Sequence, residues 1–279
     1  MTRILILLAA TYFIHPNYLG AANIFNFAGS VFSDSINPLD GTGEIRWAGI
    51  TTNSGSAIDM VAVVSPGSTY TPGDGPLNRN GPVPPGGPNE GQDVPAGLTR
   101  IKVQRATGVR FTFTFVDQVT GNPVVLPCAT FSLWDFDQSA SGVVTESAQF
   151  IESTGTSGTF TYAAATNIAI DATNPEQPIF SSTVTGNETD NPTDVSAPTS
   201  AQQEKVVLFE FYNTTGFEME LNVGANGGTD SRTFFFGGDV PFTVPTTTIS
   251  IPEVSPVLLG LSSTLLFLGS SRSRRRREN

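Results

Sequence analysis

The feature that most constrains the fold is a strict alternation of polar and large apolar side chains over residues 109–117. The alternating side chains are Arg110, Phe111, Thr112, Phe113, Thr114 and Phe115. Successive side chains of a strand point to opposite faces, so a period of two predicts a strand with one buried face. Between the two termini, no stretch shows the period of 3.6 that predicts a helix with one apolar face.

Shorter segments of the same kind follow along the chain, with Gly, Asn, Asp or Pro between most of them. The composition agrees, because 28 Gly, 20 Pro and 20 Phe favour strands and turns over helices. About twelve strands at such short intervals are typical of a sandwich. We therefore predict an all-β fold of two antiparallel sheets, jelly-roll-like, with a body at residues 23–245.

Residues 65–99 interrupt this pattern with eight Pro and eight Gly. Such a composition supports neither a regular ladder nor a helix, so we predict a long surface loop. A loop of this length is uncommon unless it is functional or mobile. Two interpretations remain open, a binding loop and a flexible insertion.

The first 22 residues have the organisation of a secretory signal. Arg3 supplies the positive start, residues 4–14 form an apolar core, and small residues end at Ala22, where we expect the cut. The core is too short to span a bilayer comfortably. The alternative is a buried N-terminal strand or helix.

Charge is distributed unevenly along the chain. Without Arg3 and the five arginines near the C-terminus, the 14 Lys and Arg fall to 8. Without Glu253 and Glu278, the 25 Asp and Glu fall to 23, so the body has a net charge of −15 against −11 for the whole chain. An acidic body argues against a nucleic-acid partner and favours solubility outside the cell.

Histidine and cysteine usage narrows the possible chemistry. His15 lies inside the predicted signal, so the body has no histidine for a Ser-His-Asp triad, a general base or a His-containing zinc site. Cys128 is the only cysteine, so no intramolecular disulfide can form. It lies in an apolar strand, where we expect a buried, inert thiol.

Three aspartates are candidate calcium ligands. Asp135 and Asp137 are two residues apart at a predicted strand end, and Asp117 ends the Phe-rich strand. Carboxylates at loop-facing strand ends can bind calcium, although the residues after Asp137 lack the pattern of an EF-hand. The alternative is that these aspartates cap turns. The prediction is no resident cofactor, with calcium as the possible ion.

Two further activities stay open. A glycosidase would need two carboxylates, drawn from Asp117, Asp135, Asp137, Glu146 and Glu210, but nothing fixes a pair at the needed separation. A carbohydrate-binding module would need an aromatic surface. Trp47, Trp134 and Tyr70 are candidates, although a Trp in an alternating strand more often lies in the core. Tyr70, inside the long loop, is the one expected to be exposed.

The C-terminal residues carry three parts in a fixed order. Pro252 and Glu253 come first, and an uncharged apolar span follows at residues 254–269. The third part is an arginine cluster: Arg272, Arg274, Arg275, Arg276 and Arg277. As a helix, the span would be roughly 24 Å long, slightly short of a hydrocarbon core. The arginine cluster would stay cytoplasmic and leave the body outside.

This order resembles the PEP-CTERM signal of bacterial surface proteins, which exosortases recognise. The match departs at Val254, where the family has a second proline, and Ser255-Pro256 follows instead. The resemblance implies a Gram-negative protein associated with a biofilm or polysaccharide, inserted transiently in a membrane and cut near the motif. A GPI-type tail and a permanent anchor are the rivals, although the former normally lacks terminal arginines.

The sequence therefore predicts three regions: a signal peptide at 1–22, the body at 23–245, and a spacer plus sorting signal at 246–279. The predicted function is a structural or adhesive protein of the outer surface or extracellular matrix. Its predicted partners are an exosortase and an extracellular polysaccharide. A carbohydrate-binding module and a histidine-free glycosidase are the alternatives, and the balance is against an enzyme.

Overall fold

The computed structural model describes residues 22–28, 30–36, 42–71, 97–104, 106–138, 144–151, 157–186, 191–192, 195–224 and 231–252. The predicted signal peptide up to residue 21 and the predicted tail from Glu253 onward lie outside this part of the chain. Residues 72–96 of the predicted long loop also lie outside it.

The described residues form fifteen strands and one short helix. In chain order they are β1 Asn23–Ile24, β2 Val31–Asp34, β3 Ile45–Asn53, β4 Ser56–Val64, β5 Thr99–Gln104, β6 Thr107–Asp117, β7 Leu126–Trp134, β8 Glu146–Ile151, β9 Ser157–Ala163, β10 Ile168–Asp171, β11 Ile179–Ser182, α1 Ser200–Gln203, β12 Val207–Thr214, β13 Gly216–Val223, β14 Ser231–Gly237 and β15 Thr246–Ile251.

The strands form two sheets. The seven-stranded sheet has the order β15-β9-β12-β7-β14-β5, and β1 pairs with β7 in parallel. The eight-stranded sheet has the order β10-β11-β8-β13-β6-β4-β3-β2. All other strand pairs are antiparallel. The predicted all-β sandwich of two antiparallel sheets is therefore confirmed.

The core lies between the two sheets and is rich in phenylalanine. The alternation in β6 works as predicted, since Phe111, Phe113 and Phe115 are all buried. Phe217 of β13 stacks on Phe113 within its own sheet and on Phe131 of the facing sheet, each at a ring-centroid distance of 4.6 Å. Offset aromatic pairs of this kind add to the free energy of apolar burial, so they join the two sheets.

The strand region extends beyond the boundary predicted at residue 245. The predicted spacer begins with β15, which pairs with β9 over six residues from Thr246 to Ile251. Ile249 packs against the core and Ile251 is fully buried, while Thr246, Thr248 and Ser250 face solvent. The two isoleucines anchor a segment that lies on the spacer side of the predicted boundary.

The helix α1 is a single turn that sequence periodicity could not reveal. Its N-cap is Thr199, whose side chain accepts a hydrogen bond from the Gln202 backbone, while the Gln202 side chain accepts one from the Thr199 backbone. This capping box satisfies two backbone donors of a turn too short to be stable alone. Within the described parts of the chain, no helix is both long enough and apolar enough to cross a membrane.

Candidate functional site

Four charged side chains meet at one end of the sandwich: the buried Asp137, Glu146 and Lys205, and the partly exposed Arg232. We call them the Arg232 cluster. Arg232 of β14 donates from Nε to Oε1 of Glu146 at 2.7 Å and from Nη2 to Oδ1 of Asp137. Lys205, just before β12, places Nζ 3.8 Å from Oδ2 of Asp137. One guanidinium therefore binds two carboxylates, and a second cation, Lys205, approaches one of them, Asp137.

The backbone encloses this cluster closely. The Glu146 N–H donates to Oγ of Ser182 at 3.0 Å, which fixes the start of β8. A Cβ atom at Gly186 would overlap the carboxylate of Asp137, so only glycine fits at that position. The Gly186 N–H also donates to the carbonyl of Gln138 at 2.9 Å, and this bond holds the two segments together.

Burial and neighbouring charges shift the pKa of Glu146, and their effects differ in sign. Complete desolvation raises its pKa well above the ordinary value, Arg232 lowers it, and Asp137 and Asp135 raise it further. For Arg232, desolvation lowers the pKa, but the attraction of Glu146 and Asp137 outweighs it and the net shift is upward. The guanidinium therefore stays charged, while the pKa of Glu146 lies above that of an exposed glutamate.

The chemistry of the cluster is that of an internal ion network. Glu146 and Asp137 are 3% and 6% exposed, so both carboxylates face Arg232 rather than solvent. A catalytic carboxylate has to reach a substrate, whereas these two are already engaged by a cation. The arrangement fits a role in holding β7, β8 and β14 in register.

Asp117 lies far from the other two predicted calcium ligands. Asp117 is the last residue of β6. Val223 of β13 pairs on one side with Thr107, the first residue of β6, and on the other side with Glu146 of β8. Glu146 therefore lies level with the opposite end of β6. Ten residues along a strand correspond to about 33 Å. The structure therefore does not bring Asp117 together with Asp137, which lies beside Glu146.

The carboxylate of Asp117 caps a turn, which was the alternative interpretation. Its Oδ1 accepts hydrogen bonds from the backbone of Thr120 at 2.8 Å and of Val119 at 3.1 Å. The bonds from Thr120 lower the pKa of this exposed carboxyl. In the described part of the chain, no group of three or more His, Cys, Asp or Glu side chains is arranged to hold a metal ion. Calcium binding stays a prediction.

Asp135 adopts a backbone conformation that the sequence did not indicate. Its φ is +67°, in the left-handed region that β-strand residues avoid. The chain therefore leaves the extended conformation directly after β7, and alternation no longer predicts that Asp135 and Asp137 share a face. Asp135 is close enough to the Arg232 cluster to act electrostatically on Glu146.

The five glycosidase candidates do not form one group. Asp135, Asp137 and Glu146 lie near one another, but Asp137 and Glu146 both bind Arg232. Glu210 lies between the buried Phe209 and Phe211, so it projects from the outer face of the seven-stranded sheet. It accepts a hydrogen bond from Thr159 at 3.2 Å.

The three aromatic candidates for a sugar-stacking surface are buried. Tyr70 is 1% exposed, so its predicted exposure is wrong. Its ring packs edge-on against Phe111, and its hydroxyl donates to the Lys102 carbonyl at 2.8 Å. Trp47 and Trp134 donate from Nε1 to hydroxyls of Thr99 and Ser132, each at 2.7 Å. Both indoles therefore have the buried partner that a core Trp needs.

Cys128 is buried in β7, and this burial raises the pKa of its thiol.

Sequence reasoning missed the two basic members of the Arg232 cluster, Arg232 and Lys205. The spacing in β14 could have identified Arg232. It lies two and four residues before Phe234 and Phe236, so its side chain must share their inward face.

No protein-family model and no curated protein matches the chain. Among solved structures, it is similar to the adhesin domain of PrgB from Enterococcus faecalis bound to DNA, with 11% identity and a TM-score of 0.40. That match covers 70% of this chain and 66% of the other. A second match, the adhesin domain of PrgB from Enterococcus faecalis, has 13% identity and a TM-score of 0.38, covering 75% and 66%.

A third similar structure is the N-terminal domain of the Streptococcus gordonii adhesin Sgo0707. It has 10% identity and a TM-score of 0.38, and the match covers 75% of this chain and 50% of that one. The chain thus spans less than two thirds of the length of these structures. The expected absence of a nucleic-acid partner stays a prediction for this chain.

Proposed function

We propose that this chain is an exported structural or adhesive protein of the cell surface or extracellular matrix, delivered by a cleavable C-terminal sorting signal. The observation that carries the proposal is the order of residues 252–277: a Pro-Glu pair, an apolar span and an arginine cluster. This order supports transient retention in a membrane with the body outside.

The position of this signal relative to the fold supports the same proposal. The last residue of β15, Ile251, is fully buried, and the exposed Pro252 follows immediately. A cut beyond Pro252 would leave every strand of the body in place. An exosortase-type enzyme could therefore remove the tail without disturbing the sandwich.

The body supports a structural or adhesive role better than catalysis. Of its candidate acid groups, Asp117 caps a turn, while Asp137 and Glu146 bind Arg232. The body also lacks histidine, the commonest general base. A polysaccharide remains the partner that we propose, through residues other than the buried Trp47, Trp134 and Tyr70.

Mass spectrometry of the mature protein, isolated from the cells that make it, tests the sorting proposal. We expect a C-terminus close to residue 252 and no peptide containing Arg276. Replacing both Pro252 and Glu253 with Ala should keep the tail attached and the protein in the membrane fraction. Ser271→Ala, between the apolar span and the arginines, is the matched control and should be processed normally. An intact Arg276 in the mature wild-type protein would refute processing.

A further inference from the structure

Arg100 is a buried cation whose partner is not found among the described residues. It lies in β5 and is 3% exposed, and its Nε has no hydrogen-bond partner. Burial lowers the pKa of its guanidinium, and no carboxylate offsets that effect. By contrast, the partly buried Arg232 binds two carboxylates.

The surroundings of Arg100 are apolar on the protein side. Thr99, Ile101 and Val103 of β5 face the core, so Arg100 projects from the outer face of the seven-stranded sheet. Phe235 of β14 is its direct cross-strand neighbour, and Trp134 of β7 is the next residue across the sheet. These two rings belong to a second apolar cluster with Leu98, Val206 and Val240.

Strand β5 carries positive charge, whereas the net charge of the body is negative. Strand β5 carries Arg100 and Lys102, Arg105 follows it, and neither β5 nor β14 contains an Asp or Glu. Three of the eight basic residues of the body thus fall within six positions of the chain. Strand β5 is therefore a basic element in a body that is otherwise acidic.

A desolvated guanidinium without an anion is costly, and native proteins usually supply its partner. Because the described residues provide none, a ligand is the natural source. The planar guanidinium fork fits a carboxylate through two parallel hydrogen bonds. Phe235, the less buried of the two neighbouring rings, suits a ligand that presents an apolar ring face next to that carboxylate.

We propose that Arg100 is the anchor of a binding site for the carboxylate of an acidic sugar, such as a uronic acid in an extracellular polysaccharide. The presence of the site rests on the surroundings of Arg100. The choice of a sugar rests on the proposed matrix function. A nucleic acid fits less well, because it needs many phosphate contacts and would meet a body with a net charge of −15.

Thermal unfolding of the purified full-length chain, with sodium glucuronate added against sodium chloride of equal ionic strength, tests this site. We expect a saturable rise in Tm of a few degrees with glucuronate, because a ligand that binds the folded state stabilises it. Neutral glucose should have no effect. Acetate should require a higher concentration, because it lacks the ring.

Two variants separate the site from general charge effects. Arg100→Met should unfold at a higher temperature than the wild type in chloride, because the unpaired buried charge is gone, and should not respond to glucuronate. Lys102→Met removes the same charge two positions along β5 and should still respond. If Arg100→Met does not fold, the NMR signal of the Arg100 Nε–H in the wild type replaces it and should shift as glucuronate is added.

Several results would overturn the proposal. These are no saturable response to glucuronate, an equal response in Arg100→Met, or an unmoved Nε–H signal. An equal affinity for acetate, or Arg100-dependent binding of duplex DNA, would overturn the assignment to an acidic sugar. None of these measurements depends on tail processing, so failure here is distinct from failure of the sorting proposal.

Discussion

The side chain of Arg232 connects parts of the fold that are distant in the sequence. It binds Glu146 and Asp137, which lie 86 and 95 residues away in the sequence. Both carboxylates are buried and Arg232 is only partly exposed, so a carboxylate that loses Arg232 has little water to replace it. The pair energy of such a network is modest, but the cost of breaking it is large because charges are left buried without partners.

We therefore expect Arg232→Met to lower the free energy of unfolding by about 3–5 kcal/mol. Urea denaturation would measure the change. Arg110→Met is the matched control, because Arg110 pairs with Glu220 at 3.3 Å with its side chain 42% exposed. Exposed pairs contribute about 1 kcal/mol or less. Similar losses in both variants would contradict the role given to Arg232.

Glu146 should make stability depend on pH. Burial raises its pKa in the folded state, so the folded chain keeps this proton at pH values where the unfolded chain releases it. Its contribution is full below the ordinary carboxyl pKa of about 4.3 and is lost as pH rises through the raised pKa. Glu146→Gln cannot titrate. The wild-type stability minus that of the variant should therefore fall as pH rises above the ordinary carboxyl pKa.

Asp171→Asn provides a control of opposite sign. Hydrogen bonds from Thr173 lower the pKa of the Asp171 carboxyl, so its contribution is present above the ordinary pKa and is lost as pH falls. Its wild-type-minus-variant difference should therefore rise toward neutral pH. A difference for Glu146→Gln that does not change with pH would show that Glu146 keeps its ordinary proton affinity.

At the scale of elements, β15 closes one edge of the seven-stranded sheet. Among the described strands it pairs only with β9, and its inward residues Ile249 and Ile251 pack on the core. An edge strand has half of its backbone groups unpaired, so side-chain burial has to hold it in place. The last buried residue of the strand therefore matters more than its length suggests.

Ile251→Ala should destabilise the protein by about 2–5 kcal/mol, because it removes a fully buried side chain and leaves a cavity. Ser250→Ala, its exposed neighbour on the same strand, should change stability by less than about 0.5 kcal/mol. Chemical denaturation of both variants measures the difference. An equal, small effect for both would mean that β15 is not anchored by Ile251.

The elements also show what sequence reasoning can and cannot reach. Period-two alternation predicted β6 because its signal is local, with Phe111, Phe113 and Phe115 in one strand. The partners of Arg232 could not be predicted, because they depend on strand order rather than spacing. Tyr70 was misplaced because its burial depends on Lys102, 32 residues later, whose carbonyl accepts its hydroxyl.

At the scale of the whole molecule, one core connects both sheets. Phe217 of the eight-stranded sheet contacts Phe131 and Phe211 of the seven-stranded sheet, with ring-centroid distances of 4.6 and 5.3 Å. Along the chain, the members of this buried cluster run from Phe25 to Ile251. Neither sheet can lose its partner without exposing this shared apolar surface.

The two sheets should therefore unfold together. Trp47 lies in the eight-stranded sheet and Trp134 in the seven-stranded sheet, so Trp47→Phe and Trp134→Phe each leave one reporter. In each variant, Trp fluorescence and far-UV circular dichroism should give coincident urea transitions. A fluorescence transition that precedes the circular dichroism transition in either variant would mean that one sheet opens first.

The burial of oxidisable side chains in this core has a chemical consequence. Cys128, Met60, Met219, Trp47 and Trp134 are all buried. Thiols, thioethers and indoles are among the groups that oxidants attack first, and exposure largely sets their susceptibility. A peroxide dissolved outside the folded protein meets none of these five groups, so oxidative damage to them should proceed no faster than the sandwich opens.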